Sequence, residues 1–168
     1  KMKEENLDRV VLFKLNLMAK HDPELTAWKK FIQKLKTPVR EVSIALIGKY
    51  TELPDAYKSI KESFTHASAM NECKVKVDYI SSEYINNNNV AEKLSKYHGI
   101  LVAPGFGDRG IEGKVTAINY VRENKIPFFG ICLGMQCAVI EFGRNVLKFA
   151  DAHSTEFNPD SEYPVIDL

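Results

Sequence analysis

The stretch Phe128-Phe129-Gly130-Ile131-Cys132-Leu133-Gly134-Met135-Gln136 places a cysteine between two glycines, one two residues before it and one two residues after. An apolar run leads in and a helix-forming run leads out, so Cys132 falls on a strand-to-helix turn. This is the cysteine form of the G-x-S-x-G nucleophile elbow. The glycines allow the close backbone approach and strained torsions such a turn demands. A helix N-terminus carries partial positive charge and free N–H groups, which favour thiolate over thiol and can hold an oxyanion. Cys132 is therefore the candidate nucleophile, and the amide of Leu133 the first oxyanion donor. The plainer alternative is a structural cysteine closing a core strand. Cys137, inside the following helix, reads as core packing, and Cys73, before an edge-like strand, as structural.

A second glycine-rich segment, Pro104-Gly105-Phe106-Gly107-Asp108-Arg109-Gly110-Ile111-Glu112-Gly113, follows another apolar run. Residues 105–110 match G-x-G-x-x-G, the dinucleotide fingerprint. Against that reading, the match follows the third strand rather than the first, and Glu123 falls on a helix instead of a strand end where it could hold a ribose. The segment reads better as a loop beside the elbow, with Gly105 the leading second oxyanion donor. Arg109 and Glu112 read equally as a mutual ion pair in a solvated loop or as functional groups.

A cysteine nucleophile works with a histidine oriented by a carboxylate. His21 lies in an N-terminal segment, His66 near the outer side of a helix, and His98 before a strand, at the wrong end of a sheet. His153 follows the Cys132 helix and meets the elbow only if its loop folds back. None is placed as the base, which is expected beyond Leu168.

These residues need a scaffold, and the hydrophobic periodicity supplies one. Strands are predicted over 42–48, 74–80, 99–103 and 126–131. Helices are predicted over 55–70, 90–97, 113–124 and 133–149, and 165–168 reads as a strand beginning. Four strand–helix alternations with long crossovers predict an α/β fold: a doubly wound, mostly parallel open sheet with flanking helices, flavodoxin-like. Ligands on such sheets bind at the carboxyl ends of strands, which singles out the loops at 48–55, 104–112 and 130–134. Residues 1–40 differ in character. Asp22-Pro23-Glu24 reads as a cap with proline at the first helical position, and Leu25, Trp28, Ile32 and Leu35 predict an amphipathic helix over 23–36. The division is thus 1–40, a linker or docking segment, and 41–168, the catalytic domain.

Bulk composition narrows the function. Among 168 residues, 23 are basic and 22 acidic, a net charge of +1 that argues against nucleic acid. No apolar run approaches the roughly 20 residues of a membrane helix. Three cysteines read as reduced thiols of a cytoplasmic protein, and no ligand spacing predicts a metal site.

Four segments together, 48–57, 104–113, 127–136 and Ser154-Thr155-Glu156-Phe157, resemble the glutamine amidotransferase domain of the CTP synthase family, within the class I (triad) amidotransferases. The resemblance covers residues 41–168, and 1–40 resemble the end of the synthetase domain and its linker. It implies glutamine hydrolysis through a Cys132 thioester, with ammonia passed to a synthetase domain that aminates UTP to CTP. By the same resemblance, Gly105 and Leu133 match the oxyanion donors. Gly105, Leu133, Gly134, Met135, Gln136 and Glu156 match glutamine-binding positions, and Arg109, Gly110 and Glu112 a loop linked to activation by GTP. It implies no cofactor within this domain, ATP and Mg in the synthetase domain, GTP as allosteric activator, and a homotetramer at full length. The family's loop commonly reads Pro-Gly-Gly-Phe-Gly where this chain has Ala103-Pro104-Gly105-Phe106-Gly107, and its asparagine is here His153. Its His-x-Glu pair is expected beyond Leu168 and its synthetase domain before Lys1, so residues 1–168 alone are expected to be a weak or inactive glutaminase. Two other classes stay open: a different cysteine hydrolase on a similar sheet, which needs His153 as base, and a non-catalytic glutamine-binding module.

Overall fold

The computed structural model describes residues 2–53 and 55–167. Pro54 of the first resemblance segment and Leu168 of the predicted last strand lie outside the described residues.

The apolar run at the centre of the sequence forms β1 (Arg40–Gly48), whose last four residues are buried. It lies between β2 (Cys73–Ser81) and β3 (Gly99–Val102), and β4 (Phe128–Gly130) flanks β3, giving the order β2-β1-β3-β4. All three pairings are parallel, in register from Arg40↔Cys73, Ile44↔Gly99 and Ile100↔Phe128. Parallel strands require helical crossovers. Here they are α3 (Lys58–Met70), α4 (Val90–Leu94) and α5 (Ile111–Glu123), with α6 (Leu133–Asn145) after β4.

Alternation along β1 and β3 divides the core into two layers. Ala45, Ile47, Ile100 and Val102 face Leu94 of α4, Val115 and Ile118 of α5 and Ile140 of α6. Leu46, Leu101 and Ala103 face Tyr57 and the α3 residues Ile60 and Phe64. Each fully buried aliphatic side chain contributes about 1.5–3 kcal/mol. The predicted doubly wound sheet, with helices on both faces, is thus the observed one. Its strand order reverses between β1 and β3, the point at whose carboxyl edge such sheets bind ligands.

The remaining elements are α1 (Leu7–Lys14), α2 (Thr26–Lys36), a 3₁₀ turn at Ser82–Tyr84, and a small second sheet of β5 (His153–Ser154) and β6 (Pro164–Ile166). α2 leans on α3 through an edge contact of Phe31 with His66 at 6.0 Å and a Lys34–Glu72 pair at 3.0 Å. α1 buries no residue and leaves Val10 and Phe13 exposed.

Several predicted boundaries move, each for a local reason. The 23–36 helix begins at Thr26, and Asp22 does not cap it; the Thr26 N–H donates to Glu24 Oε1 at 2.9 Å. α5 starts two residues early because Gly110 takes the left-handed conformation at its N-cap, φ 81°. α6 stops at Asn145, where the Leu147 N–H turns back to the Phe142 carbonyl and Lys148 adopts φ 65°. On α3 Ala67 is exposed and Ser68 is buried. The Asn86–Asn89 run forms a hydrogen-bonded turn: the Asn89 Oδ1 and Asn86 Oδ1 accept from the N–H groups of Asn86 and Asn88, both at 3.0 Å.

Candidate active site

Cys132 sits at φ 53°, ψ −113°, a region non-glycine residues avoid, at the N-cap of α6. Such a torsion pair costs on the order of 1–3 kcal/mol and persists only where the surroundings impose it. They do. The Ile131 N–H is fixed to the Val102 carbonyl at 3.0 Å, while the N–H groups of Met135 and Gln136 donate to the Cys132 carbonyl at 2.9 and 3.1 Å. Held from both sides, the chain reverses within one residue and leaves the thiol exposed.

The flanking glycines are required by space. A Cβ on Gly130 would stand 2.7 Å from the backbone of Gly134 and Met135. One on Gly134 would overlap the Val102 carbonyl oxygen and lie 2.8 Å from its carbon. The helix therefore starts pressed against the end of β3. Leu133, its first residue and buried, has an N–H with no acceptor inside the helix.

The 103–110 loop runs beside the elbow. The Ala103 N–H is anchored on the Ile47 carbonyl at 2.9 Å, and a Cβ on Gly105 would lie 3.8 Å from Leu133 Cδ2. Gly105, one predicted oxyanion donor, thus lies beside the side chain of Leu133, the other. Two lysines grip the loop: Lys49 Nζ donates to the Phe106 carbonyl at 2.6 Å, and Lys114 Nζ to the Ala103 carbonyl at 3.2 Å. Gly107 at φ 72° lets the loop turn away.

Arg109 and Glu112 do not pair with each other, which overturns that reading of the sequence. Arg109 pairs with Glu83 at 3.0 Å, and Glu112 takes two 2.9 Å hydrogen bonds from Arg144. The loop's reversal at Gly110 points the two side chains to different neighbours. Gly110 and Gly113 also allow the loop and α5 to close against Ser82, whose hydroxyl and carbonyl oxygens any Cβ would meet.

Of the predicted glutamine-binding residues, Gly134 is buried, Gln136 half-buried and Met135 exposed on the first turn of α6. Glu156 lies beyond β5 with its side chain exposed and its N–H donating to Ser154 Oγ at 3.3 Å. The histidines are occupied elsewhere. His98 holds Ser43 at the opposite end of the sheet, accepting the Ser43 N–H at 3.1 Å. His66 faces Phe31, and His21 contacts the Asp22 carbonyl. His153 accepts the Ser154 N–H on Nδ1 and lies 4.0 Å from Glu112 through Nε2. Burial, then the Arg144 charge, lowers its pKa and favours the neutral ring. Among the described residues, no group of three or more His, Cys, Asp or Glu could hold a metal ion.

Three site residues escaped the sequence reading. Tyr57 is buried, and its hydroxyl accepts the N–H groups of Lys49 and Tyr50 at 3.0 and 3.1 Å, shaping the loop after β1. Lys49 and Lys114 are the others. Lys114 had a signal: it stands on the apolar stripe of Ile111, Val115 and Ile118, where a lysine is out of place.

The family model described as Glutamine amidotransferase class-I matches residues 52–162. The CTP synthase of Cytophaga hutchinsonii is 62% identical over 167 residues, spanning 99% of this chain and 31% of that protein. The CTP synthase of Methanocaldococcus jannaschii is 50% identical over 173 residues, spanning 99% and 32%. The solved Trypanosoma brucei CTPS glutaminase domain with bound acivicin has a TM-score of 0.71 and 39% identity, covering 76% of this chain and 50% of that one. The chain spans about a third of the length of the curated relatives it matches.

Proposed function

The chain belongs to the class-I glutamine amidotransferase family, and on that premise we propose that it is the glutamine-hydrolysing part of a CTP synthase. The observation that carries the reading is Cys132, exposed and strained at the head of α6, with Gly105 and Leu133 beside each other at its side.

On this reading the chemistry runs through a thioester. The Cys132 thiolate attacks the carboxamide carbon of glutamine, and the C=O electron pair moves to oxygen. That oxyanion is proposed to accept hydrogen bonds from the Gly105 and Leu133 N–H groups, backbone donors in place before the charge forms. The C–N bond then breaks, the nitrogen takes a proton and leaves as ammonia, and a glutamyl thioester remains on Cys132. Water adds to the thioester and releases glutamate. Gly134, Met135, Gln136 and Glu156 are proposed to hold the substrate, with Glu156 facing its α-amino group. No histidine among the described residues is placed against Cys132, so the base and its carboxylate partner are proposed to come from outside residues 1–168.

Residues 1–40 are proposed as the linker and synthetase edge, and 41–168 as part of the amidotransferase domain. The ammonia would serve the amination of UTP in a synthetase domain that uses ATP and Mg. A GTP-linked role is proposed for Arg109, Gly110 and Glu112, of which Arg109 lines a cleft beside the loop after β1. Lys49, Tyr50, Glu52, Glu83, Tyr84 and Arg109 line a cleft of about 290 Å³, whose tyrosines offer aromatic faces to a nucleotide base. A cytoplasmic homotetramer is proposed for the full-length protein.

The test is covalent. Incubation of the full-length protein with acivicin and peptide mass spectrometry should place a single adduct on Cys132, lost in Cys132→Ala. An adduct elsewhere, or none, overturns the proposal.

A further inference from the structure

Lys114 is 1% exposed, one of the largest fully buried side chains in the molecule. Among the described residues no carboxylate lies within ion-pair distance of it. Its recorded hydrogen bond is to the Ala103 carbonyl at 3.2 Å, and a Cβ on Gly105 would be 3.4 Å from its Nζ. The charged and titratable groups that face it are Cys137 and Cys132 of the elbow and α6, and Lys49 after β1. Burying an ammonium without an anion costs several kcal/mol, and a methionine of similar shape would avoid that cost. Something other than stability must account for the charge. Cys137 does not supply the anion: burial pushes its thiol up to about 11, so it is neutral. Lys49 only adds repulsion and is itself committed to Phe106. What remains is Cys132, where the reaction develops negative charge on sulfur and then on the adjoining oxygen.

We propose that Lys114 is a positioning residue of this site: it holds the Ala103 carbonyl so that the next amide, at Gly105, stays aimed beside Leu133, and its ammonium is the buried counter-charge to the Cys132 thiolate. The inference rests on the glutaminase reading for its role in the reaction, but its electrostatic half is readable without glutamine. Burial lowers the Lys114 pKa and Lys49 adds to that, while the neighbouring Cys137 and Cys132 sulfurs act in the opposite direction.

The test compares the protein with Lys114→Met and Lys114→Arg, following iodoacetamide and acivicin labelling of Cys132 across pH alongside thermal melting. Lys114→Met should melt at or above the wild-type temperature. Its iodoacetamide profile should move up by about one pH unit, roughly a tenfold slower rate at a fixed pH on the rising limb. Acivicin labelling should fall further than iodoacetamide labelling, because the loop has also lost its tether. Lys114→Arg, which keeps the charge, should restore the iodoacetamide profile. A Lys114→Met protein with unchanged profiles, or with no cooperative melt, overturns the inference. Failure of acivicin to label the wild type would count against the glutaminase reading alone, since the iodoacetamide comparison would still report on Lys114.

Discussion

Gly134→Ala pits two effects of known size against each other. In an unconstrained helix, alanine in place of glycine stabilises by about 0.8–1 kcal/mol. At Gly134 the added methyl would overlap the Val102 carbonyl oxygen and stand 2.8 Å from its carbon and 3.2 Å from Val102 Cβ. The first two are backbone atoms of β3, the same carbonyl that fixes Ile131, and no side-chain rotation relieves them. Overpacking of this kind costs about 1–3 kcal/mol. The steric term wins, and a net destabilisation of about 1 kcal/mol is expected by urea melting. The functional loss should be larger. Relief requires the start of α6 to move off β3 by several tenths of an ångström, carrying Cys132 and the Leu133 amide away from Gly105. A misplacement of about 1 Å at a reacting centre costs about 100-fold, so acivicin labelling should fall by roughly 10- to 100-fold while circular dichroism stays native. A Gly134→Ala protein that is more stable and labels at the wild-type rate would falsify the close-approach account of the elbow.

Cys132→Gly removes the strain at φ 53° while abolishing labelling, and should stabilise the fold by about 1 kcal/mol in a thermal melt; a lower melting temperature would mean the thiol is structural. Burial raises the Glu141 carboxyl, but hydrogen bonds from Arg122, Asn119 and Asn145 outweigh it and hold the pKa below the ordinary value. Its stabilisation is therefore complete above the unfolded carboxylate pKa of about 4.3 and is lost as pH falls through the lower folded value. Glu141→Gln should cost about 1–2 kcal/mol at neutral pH and flatten the acid limb, as read by urea melts across pH. His153 has a folded pKa below its unfolded value of about 6.5, so the unfolded chain takes up the proton first and stability declines as pH drops below that value. His153→Asn should remove that slope without changing Cys132 labelling; a loss of labelling would revive His153 as the base.

Much of this was readable from local sequence because its causes are local. Apolar alternation and crossover length set the parallel sheet, and glycines at 130 and 134 around a cysteine announce a turn that only glycine can flank. What escaped needed distant residues. The partners of Arg109 and Glu112 are Glu83 and Arg144, set by how α5 seats on the 3₁₀ turn and α6. Lys114 matters because β1, the loop after β3 and α6 converge on it, although its place on an apolar stripe was visible. Helix ends moved where a single left-handed residue, Gly110 or Lys148, decided them. α1 was missed because its apolar residues meet no core to give them a periodic face.

Gly105 separates conformation from chemistry, because neither space nor backbone torsion requires a glycine there. Its φ is outside the left-handed range that Gly107 and Gly110 occupy, and an added Cβ would make only ordinary contacts, 3.4 Å from Lys114 Nζ and 3.8 Å from Leu133 Cδ2. If its part is to donate an N–H to the oxyanion, the side chain is incidental and the amide hydrogen is not. Gly105→Ala keeps the donor and should leave melting within about 0.5 kcal/mol and glutamine hydrolysis by the full-length protein within a few-fold. Gly105→Pro deletes the donor, and loss of one oxyanion contact costs about 100- to 1,000-fold in kcat. Iodoacetamide alkylation, which forms no oxyanion, should change little in either variant. Equal losses of hydrolysis in the alanine and proline proteins would show that the shape of the loop matters and the Gly105 amide does not.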